Sequence, residues 1–153
     1  MVDSDYPISF YRGLANKDFI SNGQVLASAF QFDDKIREDG YKELSINWDD
    51  DNNSLNILLT QRKDNGKIQF VAGAAKLDLQ RVNLILNEHI NNGNFKYERR
   101  QLPQNKYHGN LLLCGTVNKQ IRSLISHGLA LAAGTNIIFS DTRFDEFINR
   151  ELK

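Results

Sequence analysis

Three side chains in this sequence could act together on a substrate: the guanidinium of Arg12, the hydroxyl of Ser45 and the imidazole of His108. Arg12 sits between Tyr11 and Gly13 at the end of an alternating run. A guanidinium fixed on a strand can grip a diphosphate or a carboxylate through two parallel hydrogen bonds. His108 falls in a polar loop and is suited to proton transfer near neutral pH, with Ser45 or Ser28 as its hydroxyl partner. No residue spacing supplies the third group that would orient such a pair. Arg12, Ser45 and His108 are therefore the catalytic candidates, without an assigned reaction.

Other chemistries fail on spacing. There is no glycine-rich phosphate loop, and His89, His108 and His127 never fall four residues apart, the interval that places two imidazoles on one helical face. Asp49, Asp51 and Asn53 begin like a calcium loop, but Ser54 replaces the glycine at the sixth position and Thr60 the bidentate glutamate at the twelfth. Cys114 is the single cysteine, which excludes an internal disulfide and a thiolate cluster and suits a reducing compartment. No metal and no cofactor is expected.

A binding surface is suggested further along. Lys96-Tyr97-Glu98-Arg99-Arg100 and Lys106-Tyr107-His108 interleave cations with aromatic rings, a composition that can hold phosphates while stacking on bases. Lys96, Arg99, Arg100, Asn105, Lys106 and Tyr107 are the candidate binding residues, for nucleic acid or for a protein partner. Nineteen basic and nineteen acidic side chains cancel overall, which argues against a general nucleic-acid binder. The cancellation is not local: residues 1–60 hold eleven acids and five bases, and residues 61–127 hold eleven bases and four acids.

The elements that must position these residues can be read from periodicity. Ile8 and Phe10 alternate after Pro7 and predict a first strand ending at Gly13. Asn16 should cap a short turn through Phe19 and Ile20, and Asn22-Gly23 should reverse the chain before an extended run from Gln24 to Phe32. Tyr41 to Trp48 reads as a strand with Leu44, Ile46 and Trp48 on one face and Ser45 and Asn47 on the other. The asparagines of the acidic run and Ser54 offer caps for a helix using Leu55, Leu58 and Leu59, stopped at Asp64-Asn65-Gly66. A strand from Lys67 to Ala75 should follow. Next comes a helix carrying Leu79, Val82, Ile85, Leu86 and Ile90, ended by Asn91-Asn92-Gly93.

Phe95 to Arg99 and Leu111 to Val117 predict two more strands joined by the loop that holds Pro103. Asn118 then caps a helix with Ile121, Leu124, Ile125, Leu129 and Ala132 inward, Gly128 against the sheet and Gly134 as its stop. Asn136 to Ser140 should form a last strand. After it comes a short amphipathic helix carrying Phe144, Phe147 and Ile148, whose apolar face, or an exposed sheet edge, could make a homodimer. The whole chain, 1–153, predicts a single α+β domain. Its mixed or antiparallel sheet should have about six strands, with three or four helices mainly on one face.

Composition agrees: 153 residues with 41% hydrophobic and 25% charged side chains suffice for one self-sufficient core. Apolar runs such as Leu111 to Cys114 fall far short of a bilayer span, and Met1-Val2-Asp3-Ser4-Asp5 has no basic or apolar leader pattern. A cytoplasmic protein without membrane contact is expected.

Two resemblances add to this. Tyr11-Arg12-Gly13, with a serine on a neighbouring strand, resembles the opening of ADP-ribosyltransferase domains, whose nicotinamide-dinucleotide pocket begins this way. The late-strand glutamate of those enzymes has no counterpart in Leu111 to Val117 or Asn136 to Ser140. Separately, Asn22-Gly23 through Ser28-Ala29-Phe30, then Leu44-Ser45-Ile46, then Asn105-Lys106-Tyr107-His108, resembles an uncharacterised family of small bacterial proteins. In that family a "dG…SxAF" stretch, an "LSv" strand and an "NPxH" loop occur in the same order. Lys106 stands where that pattern has proline. The second resemblance implies a bacterial origin and one site made of Ser28, Ser45, Asn105 and His108, with no activity attached.

Two functions follow as expectations. One is a cytoplasmic interaction or regulatory protein that binds another protein or nucleic acid through the basic segment, in a setting such as bacterial defence. The alternative is a small nucleotide- or RNA-directed enzyme, ADP-ribosyltransferase-like at Arg12, using Arg12, Ser45 and His108.

Overall fold

The computed structural model describes residues 6–139. In chain order its elements are β1 (Ser9–Leu14), β2 (Ile20–Ser21), β3 (Gln24–Val25), β4 (Tyr41–Trp48), α1 (Asn53–Thr60), β5 (Gly73–Asp78), α2 (Leu79–His89), β6 (Phe95–Arg99), β7 (His108–Cys114), α3 (Lys119–Ala133) and β8 (Ile137–Ile138). The α+β expectation is met by an antiparallel sheet in the order β6-β7-β4-β1-β5-β8, with β2 and β3 forming a separate small hairpin. Among the described residues no helix is long and apolar enough to cross a membrane.

Alternation decides which face each strand buries. Phe10 and Leu14 of β1, Leu44, Ile46 and Trp48 of β4, and Leu111 and Leu113 of β7 point into one core, which α2 closes with Val82 and Leu86 and α3 with Ile125 and Leu129. Burying side chains of this size contributes about 1.5–3 kcal/mol each. Trp48 is the centre of an aromatic group, stacked on Tyr6 at 4.5 Å and edge-on to Phe10 and Tyr97. On the opposite face α1 packs Leu58 over Tyr11 and Ala74.

Several boundaries differ from the sequence expectations. The first strand runs through Gly13 to Leu14, because β5 pairs with it as far as Leu14–Gly73. The run Gln24 to Phe32 is mostly not extended: after β3 it winds into a 3-10 turn at Ala27–Phe30, which buries Ala29 and Phe30 under the sheet. Lys67 to Ala75 divides, since Gln61 and Gln69 face each other across a hairpin and β5 starts only at Gly73. His108 lies at the head of β7, opposite Asn47, and Gly115 to Val117 fall outside the strand.

Helix ends and faces also differ in detail. Asp51, two residues before α1, accepts from the Asn53 N–H at 2.8 Å, while Ser54 turns inward and donates to the Trp48 carbonyl. In α3, Leu124 is exposed while Ser126, Ala130 and Ala133 join Ile125 and Leu129 inside. Gly128 meets Ile85 of α2, and the sheet is not its neighbour. The last strand shortens to Ile137–Ile138. The amphipathic helix expected at Phe144 to Ile148 lies outside the described residues.

Candidate functional site

The sheet forks at its centre. β1 pairs with β4 only at Phe10–Trp48 and Tyr11–Asn47, although its other edge follows β5 for its full length. Beyond Tyr11 the two strands diverge, and segment 26–33 fills the gap from below, with the Asp33 N–H donating to the Glu43 carbonyl. A ladder that opens leaves strand carbonyls needing donors. Arg12 supplies one: its Nη1 donates to the Ser45 carbonyl of β4 at 2.8 Å, while its Nε donates to the Ala29 carbonyl of the 3-10 turn at 2.8 Å.

A cavity of about 540 Å³ occupies the fork. Arg12 and Gly13 line it from β1, Ser45 and Asn47 from β4, and His108 from β7. Phe19, Leu58, Phe70 and Leu102 form its apolar walls. Gly13 is required there, because a Cβ would collide with the Phe70 ring. No Asp or Glu lines the cavity among the described residues.

Arg12 is part-buried and forms no ion pair among the described residues. Burial therefore acts on it unopposed and pushes its pKa down to about 10, still charged at neutral pH. With Nε and one N–H of Nη1 committed to carbonyls, Nη2 has no partner among the described residues and can meet a ligand.

Four carboxamides floor the cavity in a continuous chain. Asn105 Nδ2 donates to Asn47 Oδ1 at 2.9 Å and Asn47 Nδ2 returns a longer bond of 3.4 Å. Asn105 Nδ2 also reaches Gln61 Oε1 at 3.4 Å, and Gln61 Nε2 donates to Gln69 Oε1 at 2.9 Å. A tight turn through Pro103 and Gln104, closed by reciprocal bonds between Leu102 and Asn105, presents Asn105 to this chain.

His108 Nδ1 lies 2.8 Å from the Arg100 carbonyl, so it must be the donor there, and the neutral ring carries its lone pair on Nε2. Ser45 is opposite Asn110 and His108 opposite Asn47, which makes Ser45 and His108 diagonal neighbours about 7–8 Å apart on one sheet face. One bound group can bridge that distance. Arg12, Ser45, Asn105 and His108 are thus brought to one cavity, while Ser28 lines a smaller one of about 240 Å³ with Lys119, Arg122 and Ser126.

The basic segment is arranged differently. Arg99 pairs with both oxygens of Asp50 at 2.7 and 2.8 Å and lies beside the Tyr6 and Trp48 rings. Lys96 sits over the Tyr41 ring, Lys106 near the Tyr107 ring, and Arg100 is 3.9 Å from Glu98. Tyr107 is buried and donates its hydroxyl to Asp51 at 2.7 Å. That bond holds the Asp51 carboxyl below its usual range, with help from the Asn53 N–H, and pushes Tyr107 up to about 12.

Asn47, Gln61, Gln69 and Phe70 were not singled out in the sequence. The signal for the glutamines was positional: Gln61 and Gln69 stand symmetrically about Asp64-Asn65-Gly66, and a hairpin through that turn pairs them. Comparison of the chain with family models, curated proteins and solved structures finds no match. Fold and site together define a small α+β domain with an amide-floored cavity at the fork of its sheet.

Proposed function

We propose that the protein binds a small organic anion in the fork cavity, with Arg12 as the anchor. One observation carries this: a part-buried guanidinium with no carboxylate partner among the described residues and Nη2 unused, on a cavity without acids. Keeping such a charge out of water is costly unless something pairs with it, and a bound oxyanion does so through charge-assisted hydrogen bonds. The volume falls within the ordinary range for small-molecule sites, roughly 300–1,000 Å³. A cytoplasmic setting is consistent with the single cysteine.

The test is calorimetric titration of the full chain with pentanoate, inorganic phosphate and adenosine monophosphate, repeated with Arg12→Gln. Saturable binding of any one, weakened tenfold or more in the variant, supports the proposal. Absence of binding by all three, or binding indifferent to the substitution, overturns it.

A second reading, an enzyme that acts on a nucleotide or RNA, is favoured by the presence of Ser45 and His108 on the same cavity. In it His108 Nε2 takes a proton from the reacting group while Arg12 holds phosphate. The interaction-protein reading through the basic segment has less support, because Arg99, Lys96 and Lys106 are engaged with Asp50 or with rings, and Arg100, 59% exposed, lies 3.9 Å from Glu98.

A further inference from the structure

The carboxamide chain has a direction, and a single backbone group sets it. The Tyr107 N–H lies 3.0 Å from Asn105 Oδ1. A backbone N–H can only donate, so that atom of Asn105 must be the oxygen and the other must be the NH2. Asn105 therefore faces Gln61 as a donor, and Gln61 must turn its Oε1 towards it. Gln61 then presents Nε2 to Gln69, which accepts through Oε1. At the end of the chain the NH2 group of Gln69, a residue of the cavity lining, donates to nothing among the described residues. Donors passed along such a chain polarise one another, which strengthens the last.

From this polarity we infer that Gln69 is a specificity-determining residue that donates to a neutral carbonyl of the ligand, and that the ligand is a monocarboxylate bearing an amide, as N-acylated amino acids are. The inference rests on the proposed anion site and deepens it. Among the described residues Arg12 is the single permanently charged group on the cavity wall, which suits one negative charge better than the two of a phosphate monoester. Beside Ser45 and His108, the remaining polar side chains of the wall are amides, which match the hydrogen-bonding of another amide without adding charge. The lone pair on His108 Nε2 gives the ligand's N–H an acceptor on the same cavity.

The experiment compares N-acetylglycine with pentanoate, the same chain length without the amide, and with inorganic phosphate, using the full-length protein. Calorimetric affinities are measured for the wild type, Gln69→Leu and Gln69→Glu, and thermal melts confirm that each variant is folded. The expected result is that N-acetylglycine binds more tightly than pentanoate, by about 2- to 12-fold, the equivalent of one neutral hydrogen bond. Gln69→Leu should abolish that margin, and Gln69→Glu should weaken both carboxylates. Equal binding of N-acetylglycine and pentanoate overturns the role of Gln69 and leaves the anion site standing. Phosphate binding in preference to both carboxylates overturns the ligand class alone. If none of the three binds, the anion site itself fails and this inference with it.

Discussion

Arg12 Nη1 donates to the carbonyl of Ser45, across the gap where β1 and β4 have parted. One side chain thus substitutes for the missing rung of the ladder and presents charge to the cavity that the gap creates. Its two carbonyl bonds tie stability to the site. Arg12→Ala leaves the Ser45 and Ala29 carbonyls without a donor, a loss of about 1–3 kcal/mol each, offset in part by removal of a desolvated charge. We expect a net destabilisation on the order of 2 kcal/mol in urea unfolding. Arg12→Lys should keep the charge yet recover less than half of the loss, since an ammonium lacks the planar fork.

Gly13 and Phe70 are in contact through backbone and ring, so Gly13→Ala must displace the ring. Overpacking of this kind costs about 1–3 kcal/mol. The denaturation midpoint should fall accordingly. Anion affinity should fall as well, because Phe70 would move into the cavity.

Asn105 holds the floor of the cavity together. Asn105→Leu removes bonds to Asn47, Gln61 and the Tyr107 N–H and leaves buried polar groups unpaired. A cost of about 2–4 kcal/mol is expected, larger than for Gln69→Leu, whose side chain bonds among the described residues only to Gln61. Urea unfolding of both variants under the same conditions measures the difference.

The Tyr107–Asp51 bond should appear in the pH dependence of stability. Asp51 is lowered from 3.8 by the Tyr107 hydrogen bond, so its contribution is present above that value and is lost as pH falls through the lowered one. Tyr107 is raised from 10.0 to about 12, so its contribution is complete below 10.0 and is lost as pH rises through about 12. Unfolding midpoints of Tyr107→Phe and wild type should differ most at neutral pH and converge at both extremes. A constant difference from acid to alkali would show that the bond is not coupled to folding.

Salt dependence weighs the basic segment as a nucleic-acid surface. Because most of its cations already have partners, an RNA single strand should neutralise no more than about two of its charges. The slope of log affinity against log salt should then be no steeper than about −1.4. A steeper slope, softened by Arg100→Ala, would restore the interaction reading.

How much of this was legible beforehand differs by element. Strands β4 and β6 matched to the residue, because strict alternation of Leu44, Ile46 and Trp48, and of Phe95 and Tyr97, is a local signal that neighbours on either side reinforce. The Asn118 cap and the Gly134 stop of α3 were likewise local, fixed by one side chain accepting from Ile121 and by one positive φ. Segments 24–32 and 67–75 misled, because apolar residues there are buried by packing beneath or beside the sheet, and their spacing mimics a strand.

The sequence alone determined the α+β class, the faces of the central strands and the short set of polar residues able to do chemistry. The fork of the sheet was beyond it, because the length over which β1 pairs with β4 depends on what segment 26–33 packs against. Only the tertiary structure placed Arg12 over the Ser45 carbonyl and linked Asn47, Gln61, Gln69 and Asn105 into one chain. Carboxamides carry no periodicity or charge pattern that announces a partner, and their polarity is set by a single backbone N–H that becomes their neighbour only on folding.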